Sequence, residues 1–281
     1  MKFPIFVRLI GGIGNQMFIY AFGFAHSTRK RKKLIIDNIS GFGSSGDEYK
    51  SVFALEGLSI VEKFIDQSLY KYFFANKYFW FLAKVLQISY FENEKKYINI
   101  DNINSNFYTG YWQSYKYFDE YKDVLKERLL LRDCDNLVIR KNKNNILATV
   151  NPVAIGMRFY EEVDDANLYH NVLNRAYYEK AIKLLEKKIQ NPVYFVFSTD
   201  VDRAKKVLSN YKNINYINPI KNRMGAKFDL YLMSLCKHYI ISNGTFYWWA
   251  GYLGESDDSI VIAPKTGFSN KDILPSHWLK I

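Results

Sequence analysis

Strand-like and helix-like segments alternate through the second half of the sequence. Apolar runs typical of buried strands lie at 153–159, 193–198, 213–218, 239–242 and 259–264. Between them, segments with helical periodicity lie at 174–189, 201–211, 228–238 and 245–254. Strands that alternate with helices form parallel βαβ units. The pattern therefore predicts an α/β fold built on a parallel sheet, with a ligand at the carboxyl ends of its strands.

The first half opens with the same arrangement. A strand at 6–10 leads through a glycine turn into a helix at 17–30, and a second strand follows at 33–37. The polar segment Arg132–Asn151 interrupts the pattern, and 281 residues suit two domains of about 140 residues. We therefore predict an N-terminal domain over 1–145 and a C-terminal domain over 146–281.

Charge and cysteine content limit the function classes. The net charge is +11, which favours phosphate-bearing substrates, polyanions or anionic lipid. The basic residues are scattered and match no nucleic-acid-binding motif, so nucleic acid is not an expected partner. Two cysteines, Cys134 and Cys236, cannot form a disulfide framework and fit a reducing cytoplasm. We expect a cytoplasmic protein, with the inner membrane face as a peripheral location.

Residues 62–91 combine aromatic residues with lysines. Apolar residues crowd around Lys71, Lys77 and Lys84, a composition that predicts a helical lobe. Two interpretations are open: ordinary packing, or a surface that faces an anionic membrane or an acceptor.

A glycine turn at Gly11–Gln16 follows the first strand. Glycines there let the backbone approach a phosphate, and Asp37 ends the next strand, where dinucleotide-binding folds place an acid for the ribose. However, Met17 occupies the place of the third glycine of a G-x-G-x-x-G motif. An NAD-dependent oxidoreductase is thus a weak alternative, and a plain tight turn is another.

Two strand ends in the second half carry groups suited to a diphosphate. Arg158 ends one strand and can hold a diphosphate in a bidentate manner. The turn Asn243, Gly244, Thr245 and Phe246 begins a helix, so it offers backbone N–H groups and a hydroxyl to a phosphate. Glu161, in the acidic loop after Arg158, is the candidate general base, with Glu162 behind it.

Two further motifs have competing interpretations. Asp200 and Asp202 form a D-x-D pair, which binds a metal in many sugar transferases, but either residue also fits a helix N-cap. His238 lies at a helix end, where a core or capping role is expected. We therefore predict no metal site.

Five ordered blocks resemble the signatures of the α-1,2-fucosyltransferases, glycosyltransferase family 11. They are residues 11–18 with 20–23, 110–114 with 116–118, 197–200, 229–253 and 275–278. The resemblance spans nearly the whole chain. It implies the GT-B type of fold, in which two Rossmann-like domains face a central cleft. It also implies GDP-fucose as donor, inversion at the anomeric carbon, and no metal or other cofactor.

The resemblance also assigns residues. It places Gly14, Asn15 and Gln16 toward the donor from the N-terminal domain, and it adds Ser198 and Asp229 to the donor-binding residues of the C-terminal domain. The implied acceptor is the 2-hydroxyl of a terminal galactose in a bacterial surface glycan. A lipid-linked form of this glycan is one option.

One block departs from the family pattern. The family has His-x-Arg-Arg-x-Asp, whereas this chain has Gly156, Arg158, Phe159 and Glu161 at the four specified positions. The first arginine is kept, but its neighbours differ. A related enzyme that uses another GDP-sugar donor therefore remains an alternative.

Overall fold

The computed structural model describes residues 2–42, 52–92, 95–131, 136–159 and 173–281. The chain forms two compact units. The first contains Met1–Leu129 and Ser269–Pro275, and the second contains Leu130–Phe268 and Ser276–Ile281. Among the helices of the described ranges, none has the length and hydropathy that a bilayer-spanning segment needs.

The first unit is built on a five-stranded, fully parallel sheet of order β3-β2-β1-β5-β4. Its strands are β1 (Ile5–Arg8), β2 (Leu34–Asp37), β3 (Lys63–Phe64), β4 (Ser89–Phe91) and β5 (Phe107–Thr109). Its helices are α1 (Ile13–Lys30), α2 (Lys71–Phe74), α3 (Lys77–Val85) and α4 (Lys122–Leu129).

Helix α1 packs closely on the sheet. A Cβ on Gly23 would lie only 2.8 Å from Cγ1 of Val7 in β1, so the absence of a side chain there allows the close approach. The ring of Phe22 stacks on Trp112 with a centroid distance of 3.6 Å. This contact fixes the segment that follows β5 against α1.

The second unit is built on a six-stranded, fully parallel sheet of order β11-β10-β9-β6-β7-β8. Its strands are β6 (Pro152–Met157), β7 (Val193–Ser198), β8 (Ile214–Ile217), β9 (His238–Ile240), β10 (Val261–Ala263) and β11 (Leu279–Lys280). Its helices are α5 (Leu137–Leu147), α6 (Arg175–Glu186), α7 (Val201–Val207), α8 (Gly225–Ser234) and α9 (Thr245–Gly254).

Amphipathic helices cover this second sheet. In α6 the buried residues Tyr178, Ala181, Ile182 and Leu185 follow helical spacing and pack on the sheet core, as the sequence periodicity predicts. The polar run at 140–145, which is part of the predicted boundary segment Arg132–Asn151, belongs to α5. This helix buries Ile139 and Ile146 and exposes most of the polar run, because only one face of a surface helix needs to be apolar.

The strand order fixes where a ligand is expected in the second unit. The chain starts the sheet at β6, adds β7 and β8 on one side, and then returns to place β9 on the other side of β6. The loops that follow β6 and β9 therefore diverge, and ligands bind at such a switch point. Two Rossmann-like units with parallel sheets confirm the predicted α/β class of GT-B type.

Candidate functional site

Arg158 and the turn that begins α9 lie together at the carboxyl edge of the second sheet. Arg158 directly follows β6, and Gly244 is the N-cap of α9, shortly after β9. A Cβ built on Gly244 would lie 3.5 Å from Nη1 of Arg158. The half-buried guanidinium therefore lies against the first turn of the helix.

The start of α9 offers hydrogen-bond donors. The first intrahelical bond runs from Trp248 N to Gly244 O at 3.0 Å. Within the described ranges, the backbone N–H groups of Thr245 and Phe246 have no acceptor, as is usual for the first turn of a helix. The positive end of the helix dipole is at the same place. This end of the site is thus suited to an anion.

Asn243 is held from a third strand end. Gly267, in the loop that follows β10, has a φ of +91°, and a Cβ there would lie 2.4 Å from Nδ2 of Asn243. Only glycine fits this position, because both the backbone conformation and the space exclude a side chain. Three neighbouring loops of one sheet edge therefore meet around Asn243.

Tyr247 explains why residue 156 is glycine. A Cβ on Gly156 would lie 2.3 Å from Cδ1 of Tyr247, so the buried ring occupies the space that a side chain would need. The Tyr247 hydroxyl donates a hydrogen bond to Met157 O at 3.0 Å. This pairing fixes the backbone immediately before Arg158. The sequence analysis did not identify Tyr247, because nothing local connects it with Gly156.

Thr199 is a second positioning residue that the sequence analysis missed. Its hydroxyl donates to Phe159 O at 2.8 Å and accepts from Phe159 N at 2.9 Å. The guanidinium of Arg203 lies 4.9 Å from the centre of the Phe159 ring. The loop after β6 is thus held by the loop after β7, and a second cation lies beside it.

Ser198 uses its hydroxyl within the protein. The hydroxyl donates to Asp200 O at 2.8 Å and accepts from Asp200 N at 3.0 Å. Ser198 therefore shapes the turn that follows β7, and its contact with a donor stays a prediction.

The D-x-D pair serves helix α7. Asp200 Oδ1 accepts from Arg203 N at 2.9 Å, which confirms the capping interpretation. Asp202 is exposed and pairs with Lys205 at 2.9 Å, an ion pair that lowers the pKa of the carboxyl. His238 is buried, and its Nδ1 accepts from Ile260 N at 3.1 Å, which confirms a core role.

Asp229, in α8, is a carboxyl group without a hydrogen bond to any described residue. Burial raises its pKa from 3.8 to about 7. Tyr247 lies near both Asp229 and Arg158. Burial first, and the charge of Asp229 second, raise the pKa of the Tyr247 hydroxyl, whereas Arg158 lowers it. The structure thus brings Asp229 into the same cluster as Arg158.

The glycine turn of the first unit lies at that unit's own switch point, between β1 and β5. Gly11 has a φ of +71°, and a Cβ there would lie 3.2 Å from Cε1 of Tyr111. Asn15 Oδ1 accepts from Gln113 Nε2 at 2.9 Å. Gly14 is buried in the first turn of α1. Two of the blocks that resemble the family are therefore in contact.

Gln16 is fully buried, and its side-chain amide makes hydrogen bonds to backbone atoms. Its Nε2 donates to Gly11 O and Val52 O, both at 2.8 Å, and its Oε1 accepts from Ala54 N at 2.9 Å. Gln16 therefore positions the turn that carries Asn15. Its predicted contact with the donor stays a prediction.

Both carboxylate oxygens of Asp37 accept hydrogen bonds from within the protein, which counts against the dinucleotide alternative. Its Oδ1 accepts from Ile39 N and Ser40 N, both at 2.9 Å. Its Oδ2 accepts from the Ser40 hydroxyl and, at 2.7 Å, from Trp80 Nε1. A fully buried carboxylate with these four partners has no oxygen left for a ribose.

Glu161 and Glu162 lie outside the described residues, as does Cys134. The role of Glu161 as general base therefore stays a prediction. The predicted residues that the structure does bring together are in the second unit: Arg158, Asp229, Asn243, Gly244, Thr245 and Phe246. Gly14, Asn15 and Gln16 belong to the first unit.

Comparisons with known proteins agree with these motifs. The chain is 29% identical to an alpha-1,2-colitosyltransferase of Escherichia coli, over 99% of this chain and 98% of that protein. It is 28% identical to the O-antigen biosynthesis glycosyltransferase WbnK of Escherichia coli, over 97% and 99%. The fucosyltransferase NodZ from Bradyrhizobium is a similar solved structure, with a TM-score of 0.45 and 13% identity, covering 89% of this chain and 92% of that chain.

The family model described as "Glycosyl transferase family 11" matches residues 4–280. This match includes every block on which the resemblance was based, from the glycine turn to the tryptophan near the C-terminus. The protein therefore belongs to glycosyltransferase family 11.

Proposed function

We propose that the protein is an inverting, metal-independent transferase that moves L-fucose from GDP-fucose to a hydroxyl group of a glycan. The observation that carries this proposal is the guanidinium of Arg158 lying against Gly244 at the start of α9. A side-chain cation and free backbone N–H groups then meet at one point. That combination binds the diphosphate of a nucleotide sugar without a metal ion.

The chemistry follows from this arrangement. The acceptor oxygen forms a bond to the anomeric carbon of the sugar while the bond from that carbon to the β-phosphate oxygen breaks. Attack from the face opposite the diphosphate inverts the configuration. Negative charge develops on the leaving GDP, and Arg158 with the N–H groups of Thr245 and Phe246 stabilises it. The hydroxyl proton passes to a base, for which Glu161 is our candidate.

Asp229 supports guanine as the base of the donor. Its half-buried carboxyl has no hydrogen bond to a described residue, and it lies near Tyr247 in the Arg158 cluster. Guanine presents an N1–H and an N2–H group side by side, and a carboxylate accepts from both. Adenine and the pyrimidine bases lack this pair of donors.

We expect GDP to bind more tightly as the pH rises through about 7. The pKa of Asp229 is about 7, so the carboxylate form, which accepts both guanine donors, becomes the main form only above that pH. Between about pH 6 and about pH 8 the affinity should rise on the order of tenfold. Isothermal titration calorimetry across this range would measure it. Asp229→Asn should remove most of the dependence, and an unchanged slope would contradict the role.

The same titration has a predictable effect on the free protein. Because the folded state holds the proton of Asp229 more tightly than the unfolded state does, this group makes the free energy of unfolding fall as the pH rises from about 4 to about 7. Asp229→Asn removes this contribution. Comparing the two proteins separates stability from ligand binding.

A closely related donor is the second candidate. The chain resembles an alpha-1,2-colitosyltransferase, and colitose is L-fucose without its 3-hydroxyl. Gly156 and Phe159, which depart from the family block, lie beside Arg158. A donor assay with GDP-fucose and GDP-colitose in parallel distinguishes the two. For both donors we propose transfer to the 2-hydroxyl of a terminal galactose in a bacterial surface glycan.

Thermal unfolding with different nucleotides is the direct test of the donor class. In the presence of EDTA, GDP at about 100 times its dissociation constant should stabilise the protein by about 2.7 kcal/mol, whereas UDP, CDP and NAD should not. Arg158→Ala should reduce the GDP effect. A shift with UDP or NAD alone, or a GDP effect that EDTA abolishes, would overturn the proposal.

A further inference from the structure

An exposed apolar surface covers α2, α3 and the residues that flank them; we name residues 69–88 the aromatic ridge. Its exposed apolar side chains are Leu69, Tyr72, Phe73, Tyr78, Phe81, Leu82, Val85, Leu86 and Ile88. Tyr78 and Phe81 keep 74% and 68% of their surface in contact with solvent. Clusters of this kind on a protein surface mark a site of interaction.

Helix α3 shows why the ridge is unusual. One face packs on the first unit through Trp80 and Ala83, which are buried. The opposite face of a surface helix is normally polar, yet here it carries Phe81, Leu82 and Val85. The helix is thus apolar on both sides, although only one side packs against other described residues of the chain.

The ridge is firmly attached to the first unit. The indole N–H of Trp80 donates to the buried Asp37 carboxylate at 2.7 Å. Phe74 and Phe79 pack with their rings 5.2 and 5.0 Å from that of Phe107, in β5. These contacts hold the exposed face in place, so its apolar side chains stay exposed.

The charges of the ridge have one sign. Residues 67–91 contain Lys71, Lys77 and Lys84 and no acidic residue. Among the described residues, no carboxylate lies within ion-pair distance of Lys77 or Lys84. The ridge therefore presents unneutralised positive charge beside its apolar side chains.

A groove beside α3 gathers three cations. Its volume is about 500 Å³, and Arg8, Lys77 and Lys84 line it together with the rings of Tyr78, Trp80, Phe81 and Phe91. The Lys84 ammonium lies 4.9 Å from the centre of the Phe91 ring, and the Arg8 guanidinium lies 6.0 Å from that of Trp80. A groove with cations on aromatic walls has the size and charge to receive a phosphate group.

We propose that the aromatic ridge docks on an anionic phospholipid membrane. Aromatic and aliphatic side chains with adjacent lysines are the composition of segments that lie in the membrane interface. Phe81, Leu82 and their exposed neighbours enter the boundary between headgroups and acyl chains. Lys71, Lys77 and Lys84 bind lipid phosphates at the level of the headgroups. The positive charge of these lysines complements the negative charge of an anionic membrane, whereas an uncharged protein surface would offer no such complement.

Co-sedimentation with vesicles tests the proposal on the whole chain. We expect binding to vesicles of equal parts phosphatidylcholine and phosphatidylglycerol, and little binding to phosphatidylcholine alone. Replacing Lys71, Lys77 and Lys84 together with glutamine should weaken the partition coefficient by roughly 100-fold. Phe81→Ser with Leu82→Ser should weaken it by at least about tenfold.

Matched variants on the second unit control for charge and folding. Lys180, Lys183 and Lys187 are exposed, and their joint replacement with glutamine removes the same charge. Leu137→Ser with Val138→Ser changes an apolar pair whose exposed fractions, 74% and 53%, are close to the 68% and 53% of Phe81 and Leu82. These controls should bind vesicles like the unmodified protein. All variants should keep the same thermal shift with GDP if the fold is intact.

Three outcomes would overturn the proposal. They are equal binding to both kinds of vesicle, an equal loss of binding in the control variants, and a self-association without lipid that Phe81→Ser with Leu82→Ser abolishes. The last outcome, seen by sedimentation velocity, would assign the ridge to a second copy of the chain instead.

Discussion

Replacing Arg158 with alanine should lower kcat by about 100-fold or more. The guanidinium lies against the first turn of α9. In the proposed reaction, charge develops on the leaving diphosphate at this point, and the loss of one such donor costs that much in other enzymes. Steady-state kinetics with saturating GDP-sugar measures the change. A kcat close to that of the unmodified protein would remove Arg158 from the mechanism.

Two further variants distinguish charge from geometry at residue 158. Arg158→Lys keeps the charge but loses the planar pair of donors, so its kcat should lie between those of the unmodified protein and Arg158→Ala. Arg140→Ala removes an exposed arginine from α5 and should leave kcat unchanged. If Arg158→Lys is as active as the unmodified protein, one point charge is sufficient.

Replacing Gly156 with alanine should destabilise the second unit by about 1–3 kcal/mol. The new Cβ would lie 2.3 Å from Cδ1 of Tyr247, whose buried ring has little freedom to move. Because Tyr247 also binds Met157 O, the displacement reaches Arg158, and GDP affinity should fall as well. Thermal and denaturant unfolding measure the first effect, and calorimetry measures the second.

A double-mutant cycle tests whether the ring is the cause. Tyr247→Ala alone should destabilise through the loss of a buried ring and its hydrogen bond. Combined with Gly156→Ala, it removes the clash. The destabilisation of the double variant should therefore be smaller, by about 0.5–3 kcal/mol, than the sum of the two single destabilisations. Additive costs would show that Gly156 is required for another reason.

The sequence predicts the longer elements of the fold and misses the two-residue strands. Strands β6 and β7 are six-residue apolar runs, and α6 has a regular apolar stripe, so local patterns identify them. Strands β3 and β11 have two residues each, Lys63–Phe64 and Leu279–Lys280. Two residues carry no periodicity, and only pairing with a neighbouring strand defines such elements.

In the candidate site, too, local sequence predicts some residues, whereas contacts between distant segments cannot be predicted from it. Arg158 and the Gly244 turn follow from their positions at strand ends, which local sequence reveals. The contact between Gly156 and Tyr247 joins residues far apart in the chain, and the Thr199 bonds to Phe159 join different loops. Such contacts depend on the sheet order, which the sequence alone leaves open.

The route of the chain near its C-terminus has a consequence for biosynthesis. Residues Ser269–Pro275 return to the first unit, where Asp272 accepts from Lys116 at 2.6 Å and its carbonyl accepts from the Ser114 hydroxyl at 2.9 Å. The chain then supplies β11 to the second sheet. Both units thus lack a part until residues 269–280 have been synthesised. A nascent chain that ends before residue 269 therefore carries two incomplete units. A premature stop codon before that residue would leave both units incomplete in the released protein.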